Sequence, residues 1–187
     1  MKRKVVAENY LCFLALLEMI IEDELGVTIT QRDLAEEFGV IIPPGYELNI
    51  TNKCYGNNDN DYGVHLNETI LNNYFEKKNI SIRATYFHVN PFEDLELDEY
   101  DNSELRRGKH IIYTYSYGDL FHENDKLEIG HVALLWEVAS ENELLIYDPG
   151  PRNAGIKKVN RHNMYDAMRY RHGGIYVLER LKEYECI

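Results

Sequence analysis

From Leu11 to Leu25 the chain reads Leu-Cys-Phe-Leu-Ala-Leu-Leu-Glu-Met-Ile-Ile-Glu-Asp-Glu-Leu, apolar except at Cys12, Glu18, Glu22, Asp23 and Glu24 and without proline or glycine. This predicts a helix buried on most of its circumference over its first two turns, ended by Gly26 in a C-terminal capping role. A helix hidden to that degree needs partners on several sides. A chain of 187 residues with 44% hydrophobic content can supply them within one domain, which we read as spanning residues 1–187. The preceding Lys2-Arg3-Lys4 gives the segment a superficial likeness to a signal peptide. Glu8 and Asn9 separate its two parts, Glu18 interrupts the apolar run, no small-residue cleavage site follows, and the run is too short to span a bilayer.

The cover is legible downstream. A second helix is expected after Thr30, which can cap it, with Asp33 at the capping-box position, Leu34 and Phe38 as an i, i+4 pair and Gly39 as its end. Residues 43–63 carry Pro43-Pro44-Gly45 and the run from Asn57 to Asp61, so turn chemistry dominates and a long surface loop or flap is expected. A third helix is expected over about Leu66–Lys78. Strands are expected over Ile80–Phe87, His110–Tyr117, His131–Val138, Leu144–Tyr147 and Ile175–Leu181, with a short helix over Asn163–Tyr170. Helices first and antiparallel-looking strands later indicate an α+β class rather than alternating βαβ units.

Charge narrows the function classes. A formal net charge of −12 argues against nucleic acid and acidic membranes as partners, because phosphate neutralisation needs clustered Lys and Arg. The acidic run from Glu93 to Glu104 reads as a solvated surface, with attraction of a cationic peptide as the sharper alternative. Cys12, Cys54 and Cys186 are too few and too scattered for a disulfide framework, which fits a reducing compartment, and a cytoplasmic location is expected. His65, His88, His110, His122, His162 and His172 show no metal-ligand spacing, so neither a metal nor a cofactor is expected. Tyr113, Tyr115 and Tyr117 alternate with Ile112 and Thr114 and read as pleated-face packing rather than as the lining of a groove.

Two strand-like runs each carry an ionisable residue at one end: His131 opens Gly130-His131-Val132-Ala133-Leu134-Leu135-Trp136-Glu137-Val138, and Asp148 closes Leu144-Leu145-Ile146-Tyr147-Asp148-Pro149-Gly150. If Val138 pairs with Glu143 across a four-residue turn, His131 falls opposite Gly150 and Asp148 becomes its diagonal neighbour on the same face. Asp148 would then hold one ring nitrogen of His131 and leave the other to act as a base. Cys12, near the start of the first helix, is the candidate nucleophile, since unsatisfied N–H groups and the helix dipole stabilise a thiolate there. The Cys12 backbone N–H would help hold an oxyanion. Cys54 and Cys186 lack any helix terminus to activate them.

With these residues in order, the chain resembles the papain-like cysteine peptidases. It carries a cysteine opening an apolar helix, then Thr-x-x-x-Leu-Ala-x-x-Phe-Gly (Thr30 to Gly39), Leu-Arg-Arg-Gly-Lys-His-Ile-Ile (Leu105 to Ile112), Gly130-His131 and Asp148-Pro149. Within them it is most similar to the bacterial double-glycine, or bacteriocin-processing, peptidases and their uncharacterised relatives, over about Asn9 to Arg180. The resemblance implies N-terminal helices packed on an antiparallel sheet, with Cys12 as thiol, His131 as base and Asp148 as orienting carboxylate. It also implies peptide cleavage, after small residues. Two positions depart from it. Val6 stands where the family has an oxyanion-donating glutamine, and Phe13 where it has glycine; Asn9 is the nearest amide able to replace that donor. The expected function is a papain-like thiol hydrolase acting on a peptide or other acyl substrate. The alternatives are an acyltransferase passing the acyl group to an amine and a catalytically inactive binding module.

Overall fold

The computed structural model describes residues 3–58, 61–89, 107–122 and 130–181; the acidic run at 93–104 and Cys186 lie outside them. Helix α1 spans Cys12–Leu25, and Leu14, Ala15, Leu16, Leu17, Ile20 and Ile21 on it are inaccessible to solvent. Burying each of these leucine and isoleucine side chains contributes about 1.5–3 kcal/mol. Gly26 ends α1 in the left-handed conformation, φ 66°, its N–H bonded to the Glu22 carbonyl. A β-carbon is disfavoured at that φ.

Helix α2, Gln31–Phe38, forms with its capping box complete: the Thr30 hydroxyl accepts from the Asp33 N–H and the Asp33 carboxylate accepts from the Thr30 N–H. Glu18, the acidic break in the apolar run, has a structural reason. It is 3% exposed and its Oε2 accepts the Gln31 N–H at 2.7 Å, placing an anion on the N-terminus of α2. Gln31 in turn donates to the Val6 carbonyl (3.0 Å) and accepts from the Glu8 N–H (2.8 Å). The second helix thus fixes the segment that leads into Cys12.

Strand β2 (Lys53–Tyr55), inside residues 43–63 expected to be loop, pairs in parallel with β1 (Val40–Ile42), which lies just before them. Helix α3 follows at Glu68–Lys77, capped by the Asn67 side chain. The main sheet comprises β3 (Ile82–His88), β4 (His110–Ser116), β5 (Gly130–Ser140), β6 (Glu143–Asp148), β7 (Gly155–Asn160) and β8 (Gly174–Arg180). Its order is β3-β8-β4-β5-β6-β7, antiparallel throughout. Helix α4 (Tyr117–Phe121) follows β4 directly, and α5 (Arg161–Tyr170) joins β7 to β8.

The sheet is covered on both faces. Ile112, Val132, Leu134, Tyr147 and Leu178 join the core built on α1, α2 and α3, while Ile111, Tyr113, Ala133, Leu135 and Ile146 join Met164 and Met168 of α5. The alternation of neighbours between two cores is the period-two signature of a strand buried on both sides. This is an α+β architecture of helices on an antiparallel sheet, as the element order predicts.

The β5–β6 hairpin differs locally from expectation. Ser140 pairs with Glu143, so the turn is two residues shorter than expected, and register shifts lie between Leu135 and Glu137 and between Val138 and Ser140. Each extra residue moves the register by one. Beyond both, Leu134 faces Tyr147, which is the register a Val138–Glu143 pairing gives. Continued outward, it sets His131 against Gly150.

Candidate active site

Asp148 is 1% exposed and fully engaged: Oδ1 accepts from His131 Nε2 at 2.7 Å and from the Gly150 N–H at 2.7 Å, and Oδ2 accepts from Lys157 Nζ at 2.6 Å. Gly150 lies so close that a β-carbon on it would sit 2.9 Å from Oδ1 and 3.5 Å from His131 Cε1. The Asx-type bond from Gly150 and the diagonal bond from His131 therefore both require the bare backbone at this position.

His131 is walled by aromatic rings. Tyr115, its partner across β4–β5, stands edge-on at 5.7 Å, and Tyr117 stands edge-on at 5.3 Å. With Nε2 committed to Asp148, Nδ1 is the nitrogen left for its other polar neighbour, the Cys12 side chain. Burial, the largest influence on the ring, favours the neutral form. Hydrogen bonds to Asp148 and Cys12 and the charge of both outweigh it and raise His131 to about 9. Burial pushes Asp148 upward too, and the hydrogen bond and charge of His131, with Lys157 and Gly150, overcome it and hold the carboxyl at about 2.

Cys12 is half-buried at the first position of α1, whose N-terminus has neither a side-chain cap nor an acidic residue in its first turn. The positive end of the dipole is thus left for the thiol itself. The approach to Cys12 is braced. Ala7 N–H donates to the Pro149 carbonyl (2.7 Å) and Tyr147 hydroxyl to the Val5 carbonyl (2.9 Å), tying the N-terminal segment to the strand that carries Asp148. The next turn, closed by Leu11 N–H on the Glu8 carbonyl at 3.0 Å, holds Tyr10 at φ 70°. Tyr10 packs edge-on against Tyr46 at 5.1 Å and Tyr62 at 5.8 Å, and the Asn9 amide donates to the Tyr46 hydroxyl at 2.7 Å. The 43–63 region therefore supports the residues preceding the thiol.

The fold brings Cys12, His131 and Asp148 together and keeps Cys54 exposed on β2. Val6 is 53% exposed and contributes only its carbonyl, to Gln31. Lys157 was not signalled by any motif, and Tyr117, read from the sequence as pleated-face packing rather than groove lining, stands against His131. Lys157 sits in Gly155-Ile156-Lys157-Lys158-Val159-Asn160, where nothing marks the inward lysine from the outward one. A depression of about 460 Å³ between α4 and α5, lined by Asp119, His122, Asn163, Asp166 and Tyr170 among others, contains none of the three residues. We place the candidate site by the convergence of thiol, imidazole and carboxylate rather than by concavity, because catalysis depends first on that geometry.

No family model and no curated protein matches the sequence. Among solved structures, the chain is similar to a crystal structure from Bacillus anthracis whose assignment as a C39-like peptidase is itself provisional. The TM-score is 0.59 at 17% identity, covering 93% of this chain and 91% of that one. The fold is papain-like. At that identity the likeness speaks for the arrangement of helices and sheet, and any chemistry has to be argued from this chain's own residues.

Proposed function

We propose that this protein is a papain-like thiol hydrolase that cleaves a peptide or another acyl substrate through Cys12, His131 and Asp148. One observation carries the reading: a largely enclosed imidazole bonded through Nε2 to a buried carboxylate and turned toward a thiol at an uncapped helix N-terminus. In the resting site His131 carries the proton, poised beside Cys12 Sγ. Sγ attacks the carbonyl carbon; the carbonyl electron pair moves to oxygen, which the Cys12 backbone N–H stabilises. Collapse of the adduct breaks the carbon–nitrogen bond as His131 Nδ1–H protonates the departing amine, leaving a thioester. Water then gives a proton to the neutral imidazole and attacks the thioester. Expulsion of the sulfur restores the starting site.

Asn9 is the proposed second oxyanion donor in place of the absent glutamine. Its amide is oriented by Tyr46 through one N–H, and an amide carries two. Losing such a donor costs about 100- to 1000-fold in turnover. Asn9→Ala should reduce turnover toward that range while leaving thiol alkylation unchanged, and unaltered turnover would remove Asn9 from the assignment.

Brief iodoacetamide treatment at pH 6 with peptide mapping tests the core of the proposal. Cys12 should be modified well ahead of Cys54 in the same tube, and His131→Ala should abolish the lead. Equal rates would leave a binding module. Partition of a trapped thioester between water and added amines separates hydrolysis from acyl transfer, and a panel of peptides varied before the scissile bond tests cleavage after small residues.

A further inference from the structure

The hydrolase reading uses one of the two cations on Asp148. The other is Lys157, and its placement is specific. Strand β7 pairs with β6 so that Lys157 faces Ile146 and lies diagonal to Asp148, on the opposite flank from His131. Its ammonium is 2.6 Å from Oδ2, stands 5.3 Å from the centre of the Tyr117 ring and 4.6 Å from that of Phe121, and donates to the Tyr117 hydroxyl at 3.4 Å. Its neighbour Lys158 points outward to Glu143 in an exposed pair of the kind that contributes little.

We propose that Lys157 is a positioning residue of the site: a permanent cation that keeps the Asp148 carboxylate ionised and aligned on His131 while the imidazole gains and loses its proton. This rests on the hydrolase reading. During the thioester stage the imidazole is neutral, and a carboxylate as enclosed as Asp148 with no opposing charge would take up a proton and turn from acceptor to donor. Lys157 prevents that at the stage when His131 cannot. The aromatic faces of Tyr117 and Phe121 hold the ammonium without offering a competing anion. The charged and titratable groups facing the pair are Cys12 from α1, His131 from β5, Tyr115 from β4 and Tyr117 at the start of α4.

The positive charge of Lys157 also opposes protonation of His131 through the shared carboxylate. Its removal has a directional signature that loss of packing alone does not produce. The His131 ring is followed by NMR in uniformly histidine-labelled full-length protein, assigned with His131→Gln, and Cys12 alkylation is measured across pH in the same variants. In Lys157→Met and in Lys157→Gln, which keeps a hydrogen-bond donor without the charge, the His131 titration and the alkaline change in Cys12 alkylation should move upward by about one pH unit. Lys157→Arg should restore the wild-type profile. Unchanged His131 titration in folded Lys157→Gln, or a shift equally present in Lys157→Arg, overturns the proposal. If wild-type Cys12 shows no lead over Cys54, the hydrolase reading fails instead. The His131 titration still decides whether Lys157 governs the His131–Asp148 pair.

Discussion

Gly150 shows how little room the site allows a single residue. A methyl group there meets Asp148 Oδ1 at 2.9 Å, so Gly150→Ala has to displace the carboxylate from His131. We expect it to slow Cys12 alkylation at pH 6 at least about tenfold, the loss that one weakened charge-assisted hydrogen bond implies, with unchanged far-UV circular dichroism. Tyr115 makes the opposite prediction. It is fully buried and its hydroxyl has no hydrogen-bond partner among the described residues. An unpaired buried polar group costs about 1–3 kcal/mol, so Tyr115→Phe should raise stability by about 1 kcal/mol in urea unfolding. His131 supplies a pH signature. Below its ordinary value of 6.5 the ring is protonated in folded and unfolded chains alike, and its contribution is complete; it is lost as pH rises through about 9. Asp148 contributes above its ordinary 3.8 and loses that contribution as pH falls toward about 2. The stability of wild type over His131→Gln should therefore be largest near pH 5 to 6 and shrink on the order of 3 kcal/mol by pH 9.

Among the elements, those with local grammar were legible and those defined by a neighbour were not. Thr30, Asp33, Gly26 and Gly39 bound α1 and α2 by side-chain caps and left-handed glycine, which any reader of the chain can find. Strand β7 escaped because it is the edge of the sheet: only Val159 on it is buried, so its sequence lacks an apolar rhythm. Lys157 escaped with it. Helix α4 begins at Tyr117, which the alternating tyrosines assign to the preceding strand, and this turn of chain carries the Tyr117 ring against His131. The diagonal relation of His131 to Asp148 was legible despite a misjudged turn because the two register shifts offset it. At this scale Glu18 is the sensitive joint. Glu18→Ala leaves the Gln31 N–H without its acceptor at the crossing of α1 and α2 and should cost about 1–3 kcal/mol by urea unfolding. Leu16→Ala in the same helix should cost about 2–5 kcal/mol through cavity formation.

For the whole molecule, the α+β class followed from the order of helices and strands, whereas convergence of the site depends on contacts between distant parts of the chain that no local pattern encodes. The Ala7–Pro149 and Val5–Tyr147 bonds join the first residues described to the strand bearing Asp148. Closures of such span form late, since their loop entropy has to be met before the contact stabilises anything. During synthesis Cys12 leaves the ribosome long before His131 and Asp148 exist. On the proposed hydrolase reading, a nascent or half-folded chain therefore carries the sulfur without the base and carboxylate that would activate it. Stopped-flow refolding with alkylation pulses at pH 6 should accordingly find the fast Cys12 reaction arising in the same phase as the native Trp136 fluorescence; a reactive thiol in an earlier phase would show that the chain is armed before it is built.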